Sequence, residues 1–207
     1  MLLSILHNIM LPINYYFSHL FFSVTHINLN KKIGRKMANN FTALTHATGC
    51  TILAGRYLQN KTESNYNTLT AFSSGYFIYD LIYLTKYWES KPLNYAYLYH
   101  HFASLYLMHQ NPIIFKGAHI LFFGELSNIP TYLVYYYQKQ PNKQKIVKKL
   151  KYLQFLLYTF IRIPIIGKIL EDVYYNSKET GNYLPLIVGS PVFLMGLIWS
   201  KKLFNKL

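Results

Sequence analysis

Long apolar stretches recur along almost the whole chain and are separated by short polar segments. About 20 predominantly apolar residues form a helix that crosses the ~30 Å hydrocarbon core of a bilayer, and each stretch is near that length. The pattern predicts seven transmembrane helices, at Leu2–Ile27, Asn40–Leu58, Thr68–Thr85, Asn94–Gln110, Ile113–Tyr137, Leu150–Leu170 and Tyr183–Trp199. We therefore expect an all-α membrane protein.

Basic residues are concentrated in three of the segments that separate or follow these stretches. The clusters follow the first stretch, separate the fifth from the sixth, and end the chain: Lys31, Lys32, Arg35 and Lys36; Lys139, Lys143, Lys145, Lys148, Lys149 and Lys151; Lys201, Lys202 and Lys206. With seven crossings all three clusters fall on one side of the membrane, and the positive-inside rule makes that side cytosolic. The sequence predicts an N-terminus outside and a cytosolic C-terminus.

The composition also favours a membrane class. Of the 207 residues, 52% are hydrophobic and only 14% are charged, whereas about a quarter of the residues in soluble domains are charged. The net charge of +14 could suit a nucleic-acid-binding protein. However, the lysines lie between the apolar stretches, and no zinc-finger, RRM or basic-zipper pattern occurs, so attraction to anionic lipid is the favoured interpretation. The single cysteine, Cys50, excludes an intrachain disulfide and a multi-cysteine metal site.

A few ionisable or strongly polar side chains fall inside the predicted spans. Such groups are costly in a bilayer and are therefore candidates for function: His46, Asp80, His100, His101, Glu125 and Arg162. At 1.5 Å of rise per residue, His46, Asp80 and the histidine pair each lie about six residues, or ~9 Å, inside the predicted cytosolic boundary. The second, third and fourth spans are thus expected to bring His and Asp side chains to one level.

These side chains suit two kinds of role. A carboxylate behind an imidazole fixes its tautomer, so Asp80 with His100 or His101 would form a base or nucleophile. Alternatively, the imidazoles hydrogen-bond neighbouring helices and hold the bundle together. A haem bridged by His46 and His100 is geometrically conceivable, but it would leave Asp80 unexplained. No second histidine box accompanies the pair, so no metal site is predicted.

Glu125 and Arg162 have alternatives of their own. Glu125 could line a polar cavity, or it could be a structural partner of His119 or Arg162. Arg162 precedes Pro164 within a span and must be paired, and a salt bridge is favoured over substrate binding. No Walker A, G-x-G-x-x-G or G-x-S-x-G motif occurs, so nucleotide-hydrolase and serine-hydrolase functions lack support.

Three motifs, in their order and spacing, resemble a known membrane family. They are Ser-Gly-Tyr-Phe-Ile-Tyr-Asp at 74–80, Tyr-His-His at 99–101 and Gly-Glu-Leu-Ser-Asn-Ile-Pro at 124–130, with His46 after a basic loop as a further match. The set is similar to the TLC (TRAM-LAG1-CLN8) domain over about Phe41 to Lys202, and most like the small TLC-domain-containing membrane proteins. The resemblance implies a six-helix membrane barrel with a preceding helix, so we expect residues 1–30 to form an N-terminal transmembrane helix and 31–207 the TLC domain.

The resemblance also implies a function in lipid metabolism, in the endoplasmic reticulum membrane. The family includes ceramide synthases, which N-acylate sphingoid bases from acyl-CoA, and members thought to bind or sense lipids. His100 and His101 align with the synthases' paired histidines, and Asp80 with an acidic residue of the smaller members. The synthases' further motif, approximately His-Asp-x-Ser-Asp, keeps one acid here as Glu125, but Asn128 replaces the final Asp. This departure favours a protein that binds or regulates membrane lipids, with an acyltransferase as the alternative.

These expectations assign the candidate site as follows. The catalytic candidates are His100, His101 and Asp80, and the substrate-binding candidates are His46, Glu125, Asn128 and Arg162. Membrane lipids are the expected partners, nucleic acid is not, and acyl-CoA is the co-substrate in the acyltransferase alternative. No resident cofactor or metal is expected.

Overall fold

The computed structural model describes residues 2–110 and 116–207, and their side chains from Asn14 onward. The described residues are almost entirely helical. Helices α1 to α5 are Leu2–Ile33, Arg35–Gln59, Glu63–Lys86, Pro92–Met108 and Gly117–Tyr137. A long helical run follows, made of α6 (Gln144–Leu156), a π-helical segment (Leu157–Arg162) and α7 (Ile163–Thr180), and α8 covers Leu184–Phe204.

The predicted all-α class is confirmed, and each apolar stretch overlaps a helix in the described part of the chain. The predicted start of the fifth stretch, Ile113, lies outside the described residues. By length and composition, two described helical segments are apolar enough to cross a membrane, Gln144–Thr180 and Leu184–Phe204. Seven crossings and a cytosolic C-terminus stay predictions.

Large apolar side chains are exposed on many of the helices. Phe17, Ile52, Phe160 and Ile187 are each more than half exposed, while polar side chains such as Ser73 are buried. A water-soluble protein rarely exposes so much contiguous apolar surface, whereas lipid tails solvate it readily. This surface therefore fits a helical protein whose solvent is the bilayer.

The described chain forms two compact units, one up to His101 and one from Phe102 onward. In the first unit, α1 packs against α3 and α2, and α2 also packs against α3. In the second unit, α5 packs against α6 and the π-helical segment, and α7 packs against α8. Each unit carries part of the predicted site, so the two are described separately below.

Short turns separate the helices of the first unit. Gly34 ends α1 with φ of 78°, a left-handed conformation that glycine adopts without strain. Thr62 caps α3, because its Oγ1 accepts a hydrogen bond from the backbone N–H of Asn65 at 3.2 Å. These local signals explain why the chain reverses here instead of continuing one helix.

Helices α1 and α3 approach each other closely at Gly75. A Cβ atom at this position would lie 2.6 Å from the backbone nitrogen of His19 and would also clash with Cβ of Ser18. Small residues permit this kind of close backbone approach between membrane helices, where packing replaces the hydrophobic effect as a driving force. Gly75 therefore fixes how α3, which carries Asp80, sits on α1.

We expect Gly75→Ala to destabilise the protein by about 1–3 kcal/mol, because the new methyl group must push α1 and α3 apart. Thermal unfolding of the full chain in detergent micelles measures the effect. The matched control is Gly196→Ala, whose added methyl group would have Tyr158 Oη at 3.9 Å as its nearest neighbour. A Gly75→Ala midpoint equal to that of Gly196→Ala would show that the α1–α3 contact is not tight.

Candidate functional site

Asp80 of α3 and His101 of α4 meet in the first unit. The Asp80 Oδ2 atom lies 3.4 Å from His101 Nε2, and both side chains are buried. The other ring nitrogen of His101, Nδ1, has no hydrogen-bond partner among the described residues. One ring nitrogen of His101 thus contacts a carboxylate, while the other has no hydrogen-bond partner among the described residues. An imidazole in this arrangement can accept or donate a proton.

The two adjacent histidines have different surroundings. His101 is buried against Asp80, whereas His100 is only half-buried, and the two ring centroids lie 5.6 Å apart at 69°. Consecutive residues of a helix point about 100° apart, so the pair cannot present both rings to one neighbour. The geometry therefore singles out His101 as the member of the pair that Asp80 orients.

An aromatic enclosure surrounds His46. Its ring stacks on Tyr76 with centroids 3.9 Å apart and planes within 7°, and it is fully buried. Phe22 of α1 packs edge-on against the same ring at 6.0 Å. Phe77 packs edge-on against both His46, at 5.4 Å, and His101, at 5.3 Å. His46 and the Asp80–His101 pair thus share one aromatic wall, provided by α3.

A second polar cluster lies in the second unit, where Arg162 reaches α5. Its Nη1 donates hydrogen bonds to Asn128 Oδ1 at 3.1 Å, to Ser127 Oγ at 3.4 Å and to the Gly124 carbonyl at 3.4 Å. Asn128 Nδ2 in turn donates to Glu125 Oε2 at 3.3 Å. The sequence favours a salt bridge for Arg162. These hydrogen bonds instead go to neutral oxygens of α5, and Asn128 links Arg162 to the Glu125 carboxylate.

The π-helical segment explains how Arg162 is placed. Pro164 has no N–H and cannot form the α-helical hydrogen bond to the carbonyl four residues earlier. The chain adopts wider π-type turns just before it, and the Ile163 N–H bonds the Tyr158 carbonyl five residues back. The guanidinium group of Arg162, at the end of this segment, lies 4.6 Å from the centre of the Tyr158 ring. π-Helical turns are rare in proteins, and those that do occur are often found at functional sites.

The structure thus places the predicted site residues in two groups. His46, Asp80, His100 and His101 belong to the first unit, and Glu125, Asn128 and Arg162 to the second. Their catalytic and substrate-binding roles stay predictions.

Sequence reasoning did not assign Tyr76 or Phe77 to the site. The i, i+4 spacing of Tyr76 and Asp80 on α3 could have placed that ring on the same helix face.

The family model of the TLC domain, TRAM-LAG1-CLN8, matches residues 36–205. This match confirms the resemblance inferred from the three motifs. Comparison with curated proteins and with solved structures gives no match.

We expect Arg162→Gln to lower the free energy of unfolding by about 1–3 kcal/mol, because it leaves buried oxygens of α5 without their charged donor. Denaturant unfolding in micelles measures the change, with the exposed Arg56→Gln as the matched control, expected to stay within about 0.5 kcal/mol of the wild type. If Arg162→Gln and Asn128→Ala together cost the sum of their separate effects, the hydrogen bond between the two side chains contributes nothing.

Proposed function

Because the chain belongs to the TLC-domain family, whose domain implies a membrane-lipid function, we propose that it binds a membrane lipid at the Asp80–His101 pair. The observation that carries the proposal is the buried contact between the two side chains, 3.4 Å apart, on two helices of the first unit. Ionisable groups inside a membrane protein are expensive, so a pair held this way suggests recognition of a polar group.

The chemistry of the pair suits the polar part of a lipid. Asp80 can accept a hydrogen bond from an amide or hydroxyl group, and the Nδ1 atom of His101 offers a further donor or acceptor. The Tyr76 and Phe77 rings beside His101 supply apolar walls, and Phe22 packs against Tyr76. Ligand sites usually combine such walls with a few convergent polar groups.

We also propose that the protein is a multi-pass protein of the endoplasmic reticulum membrane, with seven crossings and a cytosolic C-terminus. Its two apolar segments, Gln144–Thr180 and Leu184–Phe204, support the membrane location. The three lysine-rich clusters, which would share one side, support the orientation. The membrane-lipid function of the TLC-domain family supports a location in the endoplasmic reticulum membrane.

The alternative is an acyltransferase that uses acyl-CoA, and the Asp80–His101 contact is the observation that favours it. In that reaction the nitrogen or oxygen of the acceptor lipid would attack the thioester carbonyl, and His101 would take the proton from that acceptor amine or hydroxyl. The new C–N or C–O bond forms as the C–S bond breaks, and the proton then passes to the leaving CoA thiolate. Asn128, in place of an acid, makes lipid binding the preferred proposal.

Lipid binding predicts a specific loss on mutation. Full-length protein purified in mild detergent should retain a lipid class that falls about tenfold in Asp80→Ala/His101→Ala, a loss of roughly 1.4 kcal/mol. His109→Ala removes an exposed histidine from the end of the same helical region and should retain the lipid. Equal lipid content in all three proteins would contradict the proposal.

Untargeted lipidomics separates binding from catalysis. Cells making the wild type should show no product lipid that disappears with His100→Ala/His101→Ala at matched membrane expression. An enzyme that used His101 as its base would instead lose its product by about 10²–10⁴-fold. A lipid class formed only with the wild type would therefore replace the binding proposal by the acyltransferase and identify its product.

A further inference from the structure

A lysine-lined cavity in the second unit lies apart from the polar cluster around Arg162. Its volume is about 400 Å³, and its walls come from α5, α6 and the end of α8: Thr131, Val134, Tyr135, Gln138, Lys151, Gln154, Leu203 and Lys206. A neighbouring cavity of about 380 Å³ shares Gln138, Lys151 and Lys206 and adds Lys148. Two lysines thus line both spaces, which we call the α5–α6–α8 cavity.

The residues that line this cavity recur at regular helical spacing on α5 and α6. On α5, residues 131, 134 and 135 and the following 138 recur at the i, i+3, i+4, i+7 spacing of one helix face. On α6 the same spacing joins residues 144, 147, 148 and 151. Lys145 and Lys149, on the same helix, do not line either space. Only some lysines of this basic helix, Lys148 and Lys151, therefore line the cavity.

Hydrogen bonds between side chains join the helices that form the cavity. Gln154 Nε2 donates to Thr131 Oγ1 at 2.7 Å, which ties α6 to α5 beneath the lysines. The hydroxyl groups of Thr159 and Ser200 lie 2.6 Å apart and tie α8 to the π-helical segment. These bonds use side chains deeper in the helices and leave the amino groups of Lys151 and Lys206 for another partner.

No acidic side chain is available in the neighbouring sequence. The chain has no Asp or Glu between Glu125 and Glu171 and none after Glu179. Glu171 follows Lys151 by 20 residues on one helical run, which is a distance of ~30 Å. In the described structure Glu171 and Asp172 pair with Lys168 and Lys116. The side chains that line the two spaces are therefore basic or uncharged, which favours an anion as the bound group.

The walls indicate which kind of anion fits. Val134, Leu203 and the Tyr135 ring supply apolar surface beside the two lysines. The cavity also lies where α6 begins and α8 ends, at the ends of the two segments that are apolar enough to cross a membrane. Basic pockets between helices at a membrane boundary suit anionic headgroups. We infer that the α5–α6–α8 cavity binds the phosphate group of an anionic membrane phospholipid through Lys151 and Lys206.

This site is additional to the Asp80–His101 pair and stands on different residues. The test uses full-length protein in mixed micelles that contain phosphatidic acid or phosphatidylcholine, and native mass spectrometry counts the lipids retained. The cavity variant is Lys151→Gln/Lys206→Gln. The matched control, Lys145→Gln/Lys149→Gln, removes the same charge from lysines outside the cavity.

We expect the wild type to retain phosphatidic acid over phosphatidylcholine. The cavity variant should bind phosphatidic acid at least roughly tenfold more weakly, because the attractions of two lysines near an anionic group together exceed a tenfold factor in affinity. The control variant should stay near the wild type. An equal loss in both variants would mean diffuse attraction by surface charge and would overturn the proposal.

Further variants and a soluble ligand test whether the lysine side chains bind a lipid phosphate. Lys151→Arg/Lys206→Arg keeps the charge and should keep the binding, so a loss there would contradict a phosphate site formed by these side chains. Inorganic phosphate tests the soluble source of the same chemistry. If it binds with the same lysine dependence while the two lipids bind equally, the cavity serves a soluble phosphate and not a lipid. Asp80→Ala/His101→Ala should leave phosphatidic acid retention unchanged, which separates this site from the proposed function.

Discussion

The cost of an unpaired polar group in hydrocarbon is the constraint on which the rest of this structure depends. Water is absent from the bilayer core, so each buried donor or acceptor needs a partner within the protein. Pairs of buried or part-buried side chains on different helical segments meet this need: Asp80–His101, Arg162–Asn128, Gln154–Thr131 and Thr159–Ser200. The exposed apolar residues carry little information about which helices are neighbours. The polar pairs and the close contact at Gly75 specify them instead.

Aromatic packing has a second effect on the Asp80–His101 pair. His46, stacked on Tyr76, fills space beside the pair, and Phe77 touches both imidazoles. Besides His101, the Asn39 side chain bonds Asp80 and also accepts a hydrogen bond from the Tyr79 hydroxyl at 3.0 Å. In a low-dielectric enclosure the interaction between a carboxylate and an imidazole is strengthened, and its loss becomes more costly. The aromatic wall therefore strengthens the contact between Asp80 and His101.

The sequence predicts the helices well, because the alternation of apolar stretches with charged loops depends only on local composition. It also predicts which polar side chains matter, since any ionisable group in an apolar stretch stands out. It predicts that Asp80 meets one of the two adjacent histidines, but it cannot say which one. That Asp80 meets His101 and not His100, and that Arg162 meets Asn128, depends on helix rotation. Rotation is set by packing at single residues such as Gly75, and by the π-helical turns before Pro164.

The Asn128 side chain, which stands where the ceramide synthases have an Asp, bridges two charged residues. It accepts a hydrogen bond from Arg162 and donates one to Glu125. An ionised Asp has no donor and could not bond the Glu125 carboxylate; it would place a second negative charge beside it. The neutral amide lets one carboxylate and one guanidinium be buried together with their hydrogen bonds satisfied. An Asn here therefore suits a cluster that orders α5 against the π-helical segment, and it removes from this position the acid that the ceramide-synthase pattern would provide.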